Sequence, residues 1–138
     1  MVLDYLCPME KRYTYPKEEK LKSHIIIERM FTEGKSVSKY PLRLAYIPIT
    51  NTEADGMPLK MGVSVSKKHF KKAVDRNYFK RLLREAYRHN KQLLIEGLDQ
   101  TYAFMLFYQT KETLSFSEIN TKTIQLFEKF HTVIHKEL

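Results

Sequence analysis

The stretch MGVSVSKKHFKKAVDRNYFKRLLREAYRHN, residues 61–90, contains the two patterns that decide the fold. Met61, Val63 and Val65 alternate with small or polar residues, which predicts a β-strand over residues 59–66. From about residue 69 to residue 90 the apolar side chains recur at helical spacing, which predicts a long amphipathic helix. The predicted apolar face of this helix contains Val74, Tyr78, Phe79, Leu82, Leu83 and Ala86.

The positive charge of the chain is concentrated in the same region. The 138 residues carry a formal net charge of +8. Residues 60–91 hold eleven Lys and Arg against two acids, a net +9, which leaves −1 for the rest of the chain. A near-neutral chain with one concentrated cationic segment is typical of a protein that binds a polyanion.

Weaker patterns on both sides of this region predict an α+β fold. A helix is expected over residues 17–33, because Gly34 follows it at the position of a C-terminal cap. The turn-rich residues 50–58 predict a hairpin between the strands beside them. Ser115 or Ser117 is expected to cap a last helix. Further strands are predicted over residues 36–40, 42–49 and 101–109. The order is helix, two or three strands, helix, strand, helix, which predicts a two-layer α+β sandwich with helices packed on one mixed sheet.

Composition narrows the class of protein further. A 43% hydrophobic content supports one globular domain over residues 17–138, while residues 1–16 lack periodicity and are expected to form a flexible arm. The apolar runs are too short for a membrane-spanning helix of about 20 residues, and the first residues lack the pattern of a signal peptide. Cys7 is the single cysteine, which favours a reducing, cytoplasmic location.

Basic side chains lie opposite the predicted apolar face and are expected to form a docking surface for RNA or DNA. Arginine bonds phosphate through two parallel hydrogen bonds and stacks on bases, and the helix N-terminus favours anions. No carboxylate is expected within this stripe, and we find no set of convergent carboxylates or His/Lys pair for catalysis or metal binding. The candidate RNA-binding residues are Lys67, Lys68, Lys71, Lys72, Arg76, Asn77, Lys80, Arg81, Arg84 and Arg88.

The segments SVSKK (64–68) and AVDRNYFKRLLREAYR (73–88) resemble the bacterial ribonuclease P protein component. The shared pattern is Ala-Val-x-Arg-Asn-x-x-Lys-Arg-x-x-Arg. The resemblance implies an αβββαβα fold with three helices on a four-stranded sheet and a left-handed crossover through the basic helix. It also implies a subunit of the endoribonuclease that removes the 5′ leader from precursor tRNA. In that enzyme the RNA subunit performs the hydrolysis with Mg²⁺, which the RNA and the substrate mainly bind.

The same resemblance implies roles for particular residues. The central motif residues Arg76, Asn77, Lys80, Arg81 and Arg84, and the basic pair Lys67 and Lys68, would face the catalytic RNA. Phe31 and Tyr46 would line a cleft for the 5′ leader of precursor tRNA. This sequence departs from the family pattern at three places, where Ile27 replaces a second cleft aromatic, Tyr78 replaces an arginine, and Lys71 and Lys72 replace a Gly-Asn pair. No protein partner is evident.

Two other functions fit part of the pattern. An accessory or ribosome-associated RNA-binding protein would use the same charges without a role in tRNA cleavage. A DNA-binding regulator is disfavoured, because a strand rather than a short helix precedes the basic helix. His131 and His135 lie one helical turn apart, as zinc ligands do, but without a third ligand at suitable spacing we interpret them as a surface or half-buried pair.

Overall fold

A computed structural model describes residues 15–136 of the chain. It contains three α-helices and four strands, preceded by a 3-10 turn over Lys17–Glu19. The strands are β1 (Lys35–Lys39), β2 (Leu42–Pro48), β3 (Leu59–Val65) and β4 (Tyr102–Tyr108). The helices are α1 (His24–Glu33), α2 (Ala73–Ile95) and α3 (Phe116–Lys136). The predicted α+β class and the αβββαβα order are therefore confirmed.

The four strands form one mixed sheet in the order β1-β2-β4-β3. β1 and β2 are antiparallel, β2 and β4 are antiparallel, and β3 and β4 are parallel. The predicted hairpin between β2 and β3 is wrong, because β4 lies between them. The sequence of β4, YAFMLFY, explains this position: six of its seven residues are buried, so the strand needs neighbours on both sides.

The helices lie on both faces of the sheet, rather than in the single helical layer of the predicted two-layer sandwich. Leu42, Leu44 and Tyr46 of β2 point into the main core with α2 and α3, while Ala45 and Ile47 point to the other face, where Ile26 and Met30 of α1 pack. The parallel pair β3 and β4 is joined through α2, which makes β3-α2-β4 a crossover unit. The left-handed sense of this crossover stays a prediction of the resemblance.

Helix α1 begins later than the sequence pattern predicts. Ser23 caps it, since its Oγ accepts a hydrogen bond from the N–H of Ile26 at 3.3 Å. The residues before it run beside β3 instead, with Lys20 bridged to Met61 and the N–H of Leu21 bonded to the Met61 carbonyl at 3.0 Å. The helix ends at Gly34, where an added Cβ would lie 2.3 Å from the Met30 carbonyl oxygen.

The buried face of α2 is rotated relative to the predicted one. Phe79, Leu83 and Ala86 are buried as expected, but Val74 and Tyr78 are exposed. Tyr87 is fully buried, and the core-facing side continues to Leu94. The helix extends to residue 95, beyond the predicted end, because this last turn also packs into the core.

The cap at the start of α3 agrees with the sequence prediction. Ser115 caps α3, as one of the two predicted caps. Its Oγ accepts a hydrogen bond from the Glu118 N–H at 3.2 Å, and the Glu118 carboxylate accepts one from the Ser115 N–H at 3.1 Å.

Residues 1–14 of the expected arm, with Cys7, lie outside the described residues. Tyr15 does not behave as part of an arm, because its ring packs edge-on against Tyr87 with centroids 5.2 Å apart. Within residues 15–136, no helix is long and apolar enough to cross a membrane.

Candidate nucleic-acid interface

The predicted RNA-binding residues lie together on the exposed side of α2 and on the loop that leads into it. We call this surface the basic stripe and define it by the ten residues predicted above. Lys67, Lys68, Lys71 and Lys72 are exposed on the loop between β3 and α2, and Asn77, Arg81 and Arg84 are exposed on the helix. Arg76, Lys80 and Arg88 are half-buried. The structure therefore brings the predicted cations to one surface, although with unequal access to solvent.

Arg76 holds the loop between β3 and α2 in place. Its Nη1 donates to the carbonyl oxygens of Phe70 at 3.0 Å and Lys71 at 2.8 Å. Upstream, the Oγ of Ser66 accepts from the N–H of Lys68 at 2.9 Å, and the ring of Phe70 is buried. The sequence suggests only a phosphate contact for Arg76. In the structure its guanidinium also holds the backbone of the loop that carries Lys71 and Lys72.

Arg88 is paired with a carboxylate on its own helix. Its Nη2 lies 2.8 Å from Glu85 Oε2, and its Nε lies 3.2 Å from Glu85 Oε1. The hydrogen bond from Arg88 lowers the pKa of Glu85, so this carboxylate stays charged at neutral pH. The expectation that no carboxylate lies within the stripe is wrong at this point. The exposed cations of the stripe therefore all precede Glu85.

Two cations counted in residues 60–91 belong to the interior. Lys60 lies 2.6 Å from Asp55 and also donates to the Glu18 carbonyl. Lys91 lies 2.6 Å from Glu19 Oε2, and the other oxygen of Glu19 accepts from the Tyr87 hydroxyl. Both lysines are buried, so the surface carries less charge than the sequence count of this window indicates.

A second candidate surface lies on the α1 side of the sheet. Phe31 is 62% exposed at the end of α1, and its ring lies 6.1 Å from that of Phe107 on β4. Arg43 on β2 is the cross-strand partner of Phe107, with its guanidinium 4.5 Å from the ring centroid. Arg43 Nε is buried and has no hydrogen-bond partner among the described residues. We call the surface formed by Phe31, Arg43 and Phe107 the aromatic cleft.

The predicted cleft residue Tyr46 is not part of this surface. It is only 4% exposed, and its ring packs edge-on against Phe130 at 4.8 Å in the main core. Strand alternation explains the error, because residues 43 and 45 of β2 face α1 while residue 46 faces the opposite side of the sheet. The sequence pattern does not identify Arg43 and Phe107, because only the register between β2 and β4 places these two side chains on one face.

The remaining polar clusters do not form a metal site. Among residues 15–136, no group of three or more His, Cys, Asp or Glu side chains could hold a metal ion. His131 and His135 stack with centroids 5.9 Å apart. His131 Nε2 lies 2.9 Å from the Leu93 carbonyl oxygen and 3.0 Å from that of Leu94, at the end of α2. This histidine therefore fixes α3 against α2.

The fold and the basic stripe define a small α+β protein with one concentrated cationic surface, as is typical of proteins that bind polyanions. The family model for ribonuclease P matches residues 15–131 of the chain. The chain is 43% identical over 100 residues to the ribonuclease P protein component of Porphyromonas gingivalis, covering 71% of this chain and 72% of that protein. It is 33% identical over 117 residues to the ribonuclease P protein component of Dictyoglomus turgidum, covering 85% and 92%.

Solved structures agree with this likeness at the level of the fold. The RNase P protein of Thermotoga maritima matches with a TM-score of 0.63 and 24% identity, over 80% of this chain and 96% of that one. The RNase P protein of Staphylococcus aureus matches with a TM-score of 0.64 and 18% identity, over 80% and 94%. The chain belongs to the ribonuclease P protein family, which takes part in the 5′ processing of tRNA.

Proposed function

We propose that this protein acts in ribonuclease P by docking on the catalytic RNA subunit through the basic stripe and by holding the 5′ leader of precursor tRNA in the aromatic cleft. The observation that carries the proposal is the group of exposed cations from Lys67 to Arg84 on one loop and one helix face. Each phosphate neutralised there releases counterions, which favours binding of a structured polyanion without reading its sequence. The relatives named above are all ribonuclease P proteins, which favours this role over that of an accessory or ribosome-associated protein.

The aromatic cleft has the properties of a site for single-stranded RNA. Proteins bind unpaired nucleotides by stacking bases on aromatic side chains and by placing cations beside the backbone. Phe31 offers an exposed ring, and Arg43 offers a positive charge beside Phe107. A leader nucleotide in the cleft would supply a base for the ring and a phosphate for the charge of Arg43.

A groove next to α2 supports a path between the two surfaces. It has a volume of about 200 Å³, and its lining includes Lys20, Lys22 and Arg84. Gly62 and Met105 also line it, and Met105 packs on the α1 side of the sheet. These three cations would let an RNA backbone pass from the aromatic cleft toward the basic stripe.

We expect the RNA subunit and the substrate, rather than the protein, to hold the Mg²⁺ ions. The described residues offer no cluster of carboxylates, and the cations of the basic stripe would repel a divalent metal. By neutralising phosphates, the protein would lower the concentration of Mg²⁺ that the RNA needs to fold and act. A reducing, cytoplasmic location fits this role, since precursor tRNA is present there.

The test is reconstitution with the RNA subunit from the same genome and a precursor tRNA at low Mg²⁺. We expect the protein to stimulate cleavage at the 5′ end of the mature tRNA. The double variant Arg81→Ala/Arg84→Ala should need a higher protein concentration for the same stimulation, whereas Lys111→Ala, on an exposed loop outside the stripe, should behave as the wild type. Absence of stimulation by the wild-type protein would refute the proposed function.

A further inference from the structure

Two exposed apolar side chains interrupt the cations at the start of α2. Val74 is 77% exposed and Tyr78 is 48% exposed. They are four residues apart in the helix and therefore lie on the same face. Single exposed apolar residues are common, but this adjacent pair includes an aromatic ring and lies on a surface that carries Lys71, Lys72 and Arg81 against one carboxylate, Asp75.

The ring of Tyr78 is supported by the core. It packs edge-on against Phe79, with centroids 5.1 Å apart and planes at 84°. Phe79 in turn stacks on Phe70 at 4.7 Å and on Tyr108 at 4.8 Å, and all three of these rings are buried. Tyr78 is therefore held on a rigid base and loses little conformational freedom when a flat partner stacks on it.

The charges around this pair match a nucleic acid. Lys71 and Lys72 are exposed just before α2, and Arg81 is exposed one helical turn after Tyr78. Asp75 is the carboxylate in the first turn of the helix, and Glu85, two turns after Tyr78, is paired with Arg88. An aromatic face bordered by cations is the arrangement by which proteins bind unpaired bases, with the cations on the phosphates and the ring on the base.

We infer that Val74 and Tyr78 form a stacking site for one unpaired nucleotide base of the RNA subunit. The ring of Tyr78 stacks on the base, Val74 packs against its edge, and Lys71, Lys72 and Arg81 bind the phosphates on either side. This inference rests on the proposed function and deepens it. The other proposed contacts of the basic stripe are to the RNA backbone, whereas this one is to a base. The basic stripe would therefore favour RNA that has an unpaired nucleotide where Tyr78 docks.

The test measures the dissociation constant for the RNA subunit at several salt concentrations. Tyr78→Ala should weaken binding about tenfold or more, as expected for the loss of one base stack, with the salt dependence unchanged. Tyr78→Phe keeps the ring and should bind within about threefold of the wild type. Ile25→Ala removes an apolar side chain that is even more exposed, at 74%, on α1 across the sheet, and should have no effect. Ultraviolet cross-linking of the wild-type complex should join Tyr78 to a base.

Three outcomes would overturn the inference while the proposed function stands. Tyr78→Ala could bind as tightly as the wild type, Tyr78→Phe could lose as much affinity as Tyr78→Ala, or the salt dependence could fall as it does when a cation is removed. Because Tyr78 is exposed, we expect each variant to unfold at the same temperature as the wild type. A change in affinity then reflects binding rather than folding. If the wild-type protein itself fails to bind the RNA subunit, the proposed function and the inference fall together.

Discussion

Glu19 connects the start of the described chain to the core. It is fully buried on the 3-10 turn before α1, and both of its carboxylate oxygens are occupied, one by Lys91 at 2.6 Å and the other by the Tyr87 hydroxyl. Burial raises the pKa of Tyr87 well above its usual value, so this hydroxyl keeps its proton and donates. The interaction fixes residues 15–21 against α2 and β3, and so positions the wall of the groove that carries Lys20.

Lys91→Met should destabilise the protein strongly. The substitution leaves a buried carboxylate without its counter-charge, which costs about 3–5 kcal/mol when one partner of a buried pair is removed. The double variant Glu19→Leu/Lys91→Met should recover most of this loss, since neither charge is then buried alone. Urea denaturation provides the measurement. Glu85→Gln, which removes the exposed pair with Arg88, should cost less than about 1 kcal/mol. A similar small cost for Lys91→Met would contradict the account.

The two arginines at the start of α2 have different roles. Arg76 bonds the backbone of the loop before α2, whereas Arg81 is exposed and lies among the cations that follow Tyr78. The sequence pattern identifies both as RNA contacts because it shows charge and spacing but not the carbonyls that a guanidinium can reach. The rotation of α2, which exposes Val74 and Tyr78 and buries Tyr87, was missed for a related reason. The apolar side chains of the sheet and α3 determine which face of α2 is buried, and the local periodicity of the α2 sequence does not show where those side chains lie.

Arg76→Ala and Arg81→Ala should therefore separate stability from binding. Arg76→Ala should lower the free energy of unfolding by about 1–2 kcal/mol, because two charge-assisted hydrogen bonds at a half-exposed site are lost, and should also weaken RNA binding. Arg81→Ala should leave stability within about 0.5 kcal/mol of the wild type and lower the salt dependence of RNA binding by about one unit. Urea denaturation and binding titrations in a salt series measure both. Equal stability of the two variants would show that Arg76 does not support the loop.

At the scale of the whole molecule, the sheet separates the two surfaces that we propose bind RNA. The basic stripe lies on α2, whose other side packs on one sheet face, and the aromatic cleft lies on the opposite face beside α1. The fold class, the order of elements and the basic stripe could be predicted, since they follow from strong local periodicity and charge. The strand order, the side of the sheet that α1 covers and the cleft residues Arg43 and Phe107 depend on pairing between distant strands. The sequence alone does not specify that pairing, which is why Tyr46 was placed in the cleft and a β2-β3 hairpin was expected.

The division into two surfaces is tested most directly with Phe31→Ala and two forms of the substrate. Phe31 is exposed, so the substitution should not disturb the fold. Affinity of the reconstituted enzyme is measured for precursor tRNA with its 5′ leader and for tRNA without a leader, beside the affinity of the protein for the RNA subunit. We predict that Phe31→Ala weakens binding of the leader-bearing substrate about fivefold or more and leaves the other two affinities unchanged. Equal weakening of leader binding and RNA-subunit docking would contradict the account.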